Sequence, residues 1–292
     1  MTTIVHETST AAVRKSPGRN RALLGLVRAA GLLGLLSIWQ IASTTGWVNA
    51  AFLPAPIDVV VEMKRLLEEG LLIEHIAASL VRVSVGFAIA AAVGIALGVL
   101  MGMSRWIDAL IGPSLELIRP ISPVAWIPLA ILWFGLGNGP AWFVIFLAAF
   151  FPIVTNAVKG VRSVAVNDLR AAACCGIRGF ALARKVVLPS SMPDIMAGLR
   201  IGLGIAWMAV IAAELVASQK GLGYLIWSSR QLFDARGVMV GMVTIGIVGL
   251  TINYLMEHLE RLLTPWRYPR AARRETAATA TLLARTDPKE QG

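Results

Sequence analysis

The chain has 292 residues and a net charge of +10, and is 57% hydrophobic but only 15% charged. That balance is too apolar for an ordinary soluble domain and fits a polytopic membrane protein. No folded basic module with aromatic platforms is visible, which argues against a nucleic-acid role and leaves the positive charge as a marker of topology.

The first 28 residues hold Arg14, Lys15, Arg19, Arg21 and Arg28 against the single acid Glu7. The basic region is long, and no small-residue cleavage site follows a short apolar core, so it does not read as a cleaved signal peptide. Residues 1–22 read as a disordered cytoplasmic tail, 23–269 as one transmembrane domain and 270–292 as a second disordered cytoplasmic tail. Span one is expected from Leu24 to Ser43, with Trp39 and Trp47 near the outer interface. Phe52-Leu53-Pro54-Ala55-Pro56 then reads as a rigid extended corner, followed by amphipathic helices over Val59–Glu69 and Leu72–Leu80 at the outer surface.

Span two, Val83–Met103, carries Gly94, Gly98 and Gly102 at four-residue intervals, a bare face that a neighbouring helix can approach closely. Pro113, Pro120, Pro123 and Pro128 punctuate span three. So many prolines leave carbonyls without intrahelical donors, which is tolerated where protein or a water-lined cavity supplies partners, so span three is the candidate pathway helix. The turn Gly135-Leu136-Gly137-Asn138-Gly139-Pro140 separates it from span four, Ala141 to about Ala157. Ile195–Ala213 supplies span five, with Gly198, Gly202 and Gly204, and Gly237–Met256 supplies span six, with Gly237, Gly241, Gly246 and Gly249. The fold expected is an all-α bundle of six transmembrane helices.

Basic residues stay on the cytoplasmic side. The loop between spans four and five has Lys159, Arg162, Arg170, Arg178, Arg184 and Lys185 against Asp168 and Asp194. The segment from Asp58 to Arg82 has Lys64, Arg65 and Arg82 against Asp58, Glu62, Glu68, Glu69 and Glu74. The two loops therefore fall on opposite sides, and both termini are expected in the cytoplasm.

Several chemistries are missing from the sequence. There is no Gly-rich phosphate loop followed by Lys-Ser/Thr, no His-Glu-x-x-His and no Gly-x-Ser-x-Gly; His6, His75 and His258 lie outside the spans or at their ends. The chain is expected to be no enzyme, to hold no cofactor or metal, and to draw energy from elsewhere. Cys174 and Cys175, adjacent on a cytoplasmic loop, read as small semi-apolar helix residues and not as a disulfide or metal site. Two charged positions stand out. Glu116 and Arg119 are three apart and can pair on a helix face, with Arg119 also a candidate anion contact; Glu214 is set apart at the outer end of span five, in a structural or gating role.

The polar interruption between Asn167 and Pro193 is the most informative stretch. An alanine-rich helical turn stopped by Gly176, then a short Arg/Lys-bearing helix stopped by Leu188-Pro189, makes a hairpin that a partner protein can grip. It resembles the EAA coupling loop of ABC importer permeases: Glu-Ala-Ala, three residues, Gly, nine residues, Ile, one residue, Leu-Pro. Ala171, Ala172, Gly176, Leu188 and Pro189 fall in register, Val186 replaces the Ile, and Arg170 stands where the Glu would be. Further stretches, Arg119-Pro120-Ile121-Ser122-Pro123-Val124-Ala125-Trp126-Ile127-Pro128-Leu129, Trp133-Phe134-Gly135-Leu136-Gly137 and Ala212-Ala213-Glu214-Leu215, are similar to the nitrate, sulfonate and taurine class, as is the Leu-Pro-x-Pro corner.

That resemblance implies a type I ABC importer permease fold in the bacterial inner membrane. It implies a homodimer, two cytoplasmic ATPase subunits that bind ATP and Mg, and an extracytoplasmic solute-binding protein. The coupling loop spans about residues 160–193, and Arg119, Pro120, Pro123 and Glu214 are the candidate path or gate residues. The solute implied is a small anion such as an aliphatic sulfonate, taurine or nitrate. Alternatives are a pyrimidine or vitamin precursor, or an amino acid, or an ion-coupled secondary carrier; a carrier would want buried acids, which the interiors of spans one, two, four and six lack.

Overall fold

The apolar runs fold into helices throughout. A computed structural model describes residues 30–45, apart from 32, 35 and 36, and residues 52–264, and these contain no strand. The chain divides after Val61 into two compact units. Within the first, residues 37–44 are helical and the Ser43 hydroxyl donates to the Leu53 carbonyl over 2.9 Å. The start of expected span one, Trp47 and both tails lie outside the described residues.

Helix α1, Pro56–Glu68, matches the first expected amphipathic helix. Arg65 sits between Glu62 and Glu69, and its hydrogen bonds hold the Glu62 carboxyl below the usual carboxylate range. After Gly70 in the left-handed conformation, α2 runs unbroken over Leu71–Met103. Here the expected division fails: Leu72–Leu80 is the first part of the spanning helix, because no glycine, proline or turn residue separates Leu80 from Val83. At about 1.5 Å per residue α2 is about 50 Å long, well beyond a hydrocarbon core of about 30 Å. Arg82, counted from sequence as a loop charge, lies inside it and is buried.

Ser104 ends α2 and caps α3, Arg105–Ile118, accepting from the Ile107 amide. A 3₁₀ turn, Pro123–Trp126, and α4, Ile127–Phe134, follow. The two halves of expected span three are bent by 86° at Arg119–Ser122, so the prolines break the span instead of merely punctuating it. Next come α5, Asn138–Arg162, α6, Val166–Cys174, and α7, Gly179–Leu182. A π turn, Ala183–Val187, leads into α8, Leu188–Ala217, followed by α9, Leu222–Gln231, and α10, Ala235–Leu263. Among the described residues four helices are long and apolar enough to cross a membrane, or five if the bent pair is one span.

The core is the sandwich of α5 between α2 and α8. Ala141, Val144, Ile145, Ala149, Ile153 and Ala157 are buried along α5, facing glycines on both neighbours. A Cβ on Gly98 would lie 2.5 Å from the Ala157 Cβ, and one on Gly198 would lie 2.7 Å from the Asn156 Cβ. The small faces read on spans two and five are thus close-contact seams, although Gly204 and Gly246 face open space. Gly98→Leu is expected to force α2 off α5, at about 1–3 kcal/mol or more of overpacking. Size-exclusion profiles of the detergent-extracted protein check this: a wild-type amount of monodisperse material would refute it.

Candidate functional site

Two constellations occupy opposite ends of the sandwich. At the first, the turn that ends α6 follows from its sequence. Gly176 takes φ +72, the Ile177 amide donates to Ala172 O over 2.9 Å, and the Gly176 amide to Ala173 O over 3.0 Å. These two bonds are the glycine C-cap in which the last orphan carbonyls of a helix are satisfied by the reversing chain. Ala172 is buried, whereas Arg170, Ala171 and Gly176 are exposed. Arg170, Arg178, Arg184 and Lys185 form no ion pair among the described residues. The Phe180 ring is 82% exposed.

The second half of the hairpin differs from expectation. Leu188-Pro189 does not stop the helix; residues 179–217 form one continuous rod. Pro189 has no N–H to give, and its ring conflicts with the carbonyl four residues back. The π turn relieves this by widening the ladder, with the Leu188 amide donating to Ala183 O, five residues back. Val186 and Val187 lie within that turn. Val161, Val164 and Val187 form a buried apolar cluster with Val99, Leu169 and Leu182 packed on it. The cluster fastens α6, α7 and the π turn to the ends of α2 and α5. Two ion pairs brace the same end: Arg162 to Asp108 at 2.6 Å and Lys159 to Asp194 at 3.5 Å.

The other end centres on Glu214, fully buried near the end of α8, about 39 Å of helix from Leu188 at about 1.5 Å per residue. Its carboxylate accepts from the Ser79 hydroxyl at 2.8 and 2.9 Å, Arg82 Nη1 at 2.8 Å and the Gly223 amide at 3.0 Å. Arg82 also donates through Nε to Asn138 Oδ1 at 2.8 Å and through Nη1 to the Lys220 carbonyl at 2.5 Å. Ser79 Oγ accepts from the Leu222 amide, His75 Nδ1 accepts from the Gly221 amide, and Lys220 pairs with Glu74. A buried charge is tolerated only when paired and hydrogen-bonded, and here each carboxylate oxygen has partners. The neighbouring ends of α2, α5 and α8 and the start of α9 are joined through one ion pair and its hydrogen bonds. Sequence reading singled out Glu214 in a structural or gating role, but missed Arg82 and Ser79. The signal was present: Ser79 and Arg82, three apart on an unbroken helix, share a face.

Between the ends, the 86° break puts Arg119 and Pro123 on a cleft of about 340 Å³, with Pro152, Thr155 and Asn156 of α5 on its wall. Pro120 is exposed on the turn and does not line that cleft. The expected Glu116–Arg119 pair does not form, although Arg119 keeps helical backbone angles and its amide still donates to Leu115 O. Both line a second cleft of about 200 Å³ where Asp108 pairs with Arg162 instead. Neither Arg119 nor Pro123 touches the Glu214 constellation.

Comparison with known proteins gives a consistent result. The family model for the binding-protein-dependent transport system inner membrane component matches residues 94–267. A Bacillus subtilis (strain 168) protein named for aliphatic sulfonates transport, SsuC, is 35% identical, covering 89% of this chain and 94% of that one. The taurine transport system permease protein TauC of Escherichia coli K12 is 35% identical over 80% of this chain and 86% of its own. The bicarbonate transport system permease protein CmpB of Synechococcus elongatus is 37% identical over 81% and 88%. Among solved structures, the MetNI methionine ABC transporter in inward-facing conformations aligns with a TM-score of 0.57 at 19% identity. It covers 66% of this chain and 96% of that one, which speaks to the fold alone.

Proposed function

Because the chain belongs to the family of binding-protein-dependent transport inner-membrane components, and is thus a multi-pass inner-membrane permease of an ABC importer, we propose that it conducts a small anionic solute under the drive of two cytoplasmic ATPase subunits. The observation that carries this is the fastening of the Gly176 hairpin. Its α6 is capped rigidly, its apolar side is packed on the Val161 cluster, and its far limb continues without interruption into α8. A subunit gripping α6 and α7 therefore pulls on the α2–α5–α8 core and not on a loose loop. The exposed Phe180 ring and the unpaired Arg170, Arg178 and Lys185 are the contacts it would take. Arg170, in place of the usual acid, reverses the charge offered to the partner.

The solute class rests on two supports. The relatives named above carry solutes with a sulfonate or a carbonate group, and the cleft at the broken span presents Arg119 beside Pro123. The working unit is a homodimer of permeases with an extracytoplasmic solute-binding protein, and ATP and Mg reside in the ATPase partners. The hairpin end faces the cytoplasm and the Glu214 end faces outward, as the basic residues direct.

The test is reconstitution into proteoliposomes with and without the partner ATPases. Uptake of a labelled alkanesulfonate, taurine or bicarbonate is expected only with ATP and the complete complex. Uptake by this chain alone under an ion gradient would make it a carrier. In cells, a cysteine placed at Glu69 is expected to react with impermeant reagents from outside and one at Arg178 only after permeabilisation; the reverse pattern would overturn the coupling assignment.

A further inference from the structure

Beside the Glu214 constellation, on the same end of the bundle, lies an open cleft of about 620 Å³ between α2, the start of α5 and the turn after α8. Its wall has two characters. One side presents Arg82, Asn138 and Ser218; the other presents Ala78, Val81 and Val216. The polar side has unused hydrogen-bonding capacity. Arg82 spends Nε and Nη1 on Asn138, Glu214 and Lys220, while Nη2 makes no hydrogen bond among the described residues. Asn138 accepts through Oδ1 and leaves its amide nitrogen free. Polar atoms at a largely buried position are nearly always paired, so a guanidinium that is only 8% exposed and keeps one nitrogen open to the cleft marks a place where a ligand oxygen belongs.

We propose that this cleft is an entry site for an organic oxyanion, its headgroup bound by Arg82 Nη2 and Asn138 Nδ2, and its short apolar tail laid on Ala78, Val81 and Val216. The planar guanidinium and the amide are fixed donors, held by the network behind them before any ligand arrives. Glu214 neutralises the charge of Arg82, so recognition comes from aimed N–H groups and a fitting tail, not from net attraction. Lys220, paired with Glu74 at the rim, adds no free charge. The site therefore favours an alkanesulfonate or a short carboxylate over a bare inorganic anion. It rests on the reading that the chain conducts an anion, and adds a first stop ahead of the Arg119 cleft.

The experiment uses the permease with its ATPase partners in nanodiscs, without the solute-binding protein, and probes binding of 1-propanesulfonate and of sulfate by saturation-transfer NMR and calorimetry. Wild type is expected to bind propanesulfonate at least tenfold more tightly than sulfate. Val81→Trp, which fills the tail side, and Asn138→Asp, which replaces the free amide donor by a carboxylate oxygen while keeping the acceptor for Arg82 Nε, are each expected to weaken it at least tenfold. No binding to wild type, equal binding to both variants, or equal binding of sulfate would overturn the site. Uptake measured alongside separates the two readings. Anion uptake with unchanged KM in both variants sinks only the entry site, whereas absence of uptake of any sulfonate, taurine or bicarbonate by wild type sinks the anion reading itself.

Discussion

Glu214→Gln is expected to cost about 3–5 kcal/mol of stability, because it leaves the Arg82 guanidinium buried without its counter-charge. The geometry makes the loss concentrated. Ser79, Arg82 and the Gly223 amide all donate to the one carboxylate, so a neutral amide in its place turns acceptors into a mismatched donor and strands at least one partner. Arg82→Met is expected to do similar damage from the other side. The double variant Arg82→Met with Glu214→Met is expected to recover much of it, since a well-packed apolar pair often replaces a buried ion pair without loss. Thermal unfolding in detergent over the full double-mutant cycle gives the answer. Additive single losses would show that the two side chains are not coupled and that the joint between α2 and α8 lies elsewhere. Gly221 is bound to the same joint: its φ is +126, and a Cβ there would run into the Glu214 carboxylate.

The second large effect is expected at Gly176. With φ +72, a β-branched residue meets about 1–2 kcal/mol of backbone strain, although a Cβ there has no neighbour within 4 Å. The penalty is therefore conformational and local to the hairpin. Gly176→Val is expected to leave the core inserted, since the spanning helices satisfy their own backbone bonds, while weakening ATPase association or separating hydrolysis from uptake. Gly176→Asn, a residue that enters the left-handed region more readily, is expected to restore much of the coupling. Membrane abundance, ATPase co-purification and solute-stimulated hydrolysis are the three readouts. Wild-type values for all three in the valine variant would remove Gly176 from the coupling path.

Spans two, four, five and six were legible because long uncharged stretches of Val, Ile, Leu and Ala have one stable form in a bilayer. The Gly176 turn was legible for a similar local reason: a glycine after an alanine-rich helix has few other uses. What escaped were consequences of one helix meeting another. The Arg82–Glu214 pair joins residues 132 positions apart, and no local pattern reports a contact between α2 and α8. Charge counting even pointed the wrong way, since Arg82 looked like a loop residue while α2 was thought to begin at Val83. The same over-reading of punctuation placed a helix stop at Leu188-Pro189. A proline removes one donor, but the chain can answer by widening a turn, and sequence does not say which answer it will choose.

That widened turn has a geometric consequence. An α-helix advances about 100° per residue, so an extra residue taken into a single turn shifts the azimuth of everything beyond it by a comparable angle. The five residues Ala183–Val187 thus set the phase between the hairpin's gripping face and the face of α8 that carries Glu214. Were the turn to relax to α geometry, α8 would have to rotate about its own axis relative to α7, or the hairpin would swing around the rod. The permease thus holds, at the foot of α8, a local twist that converts a change of hydrogen-bond register into a rotation felt at the opposite end.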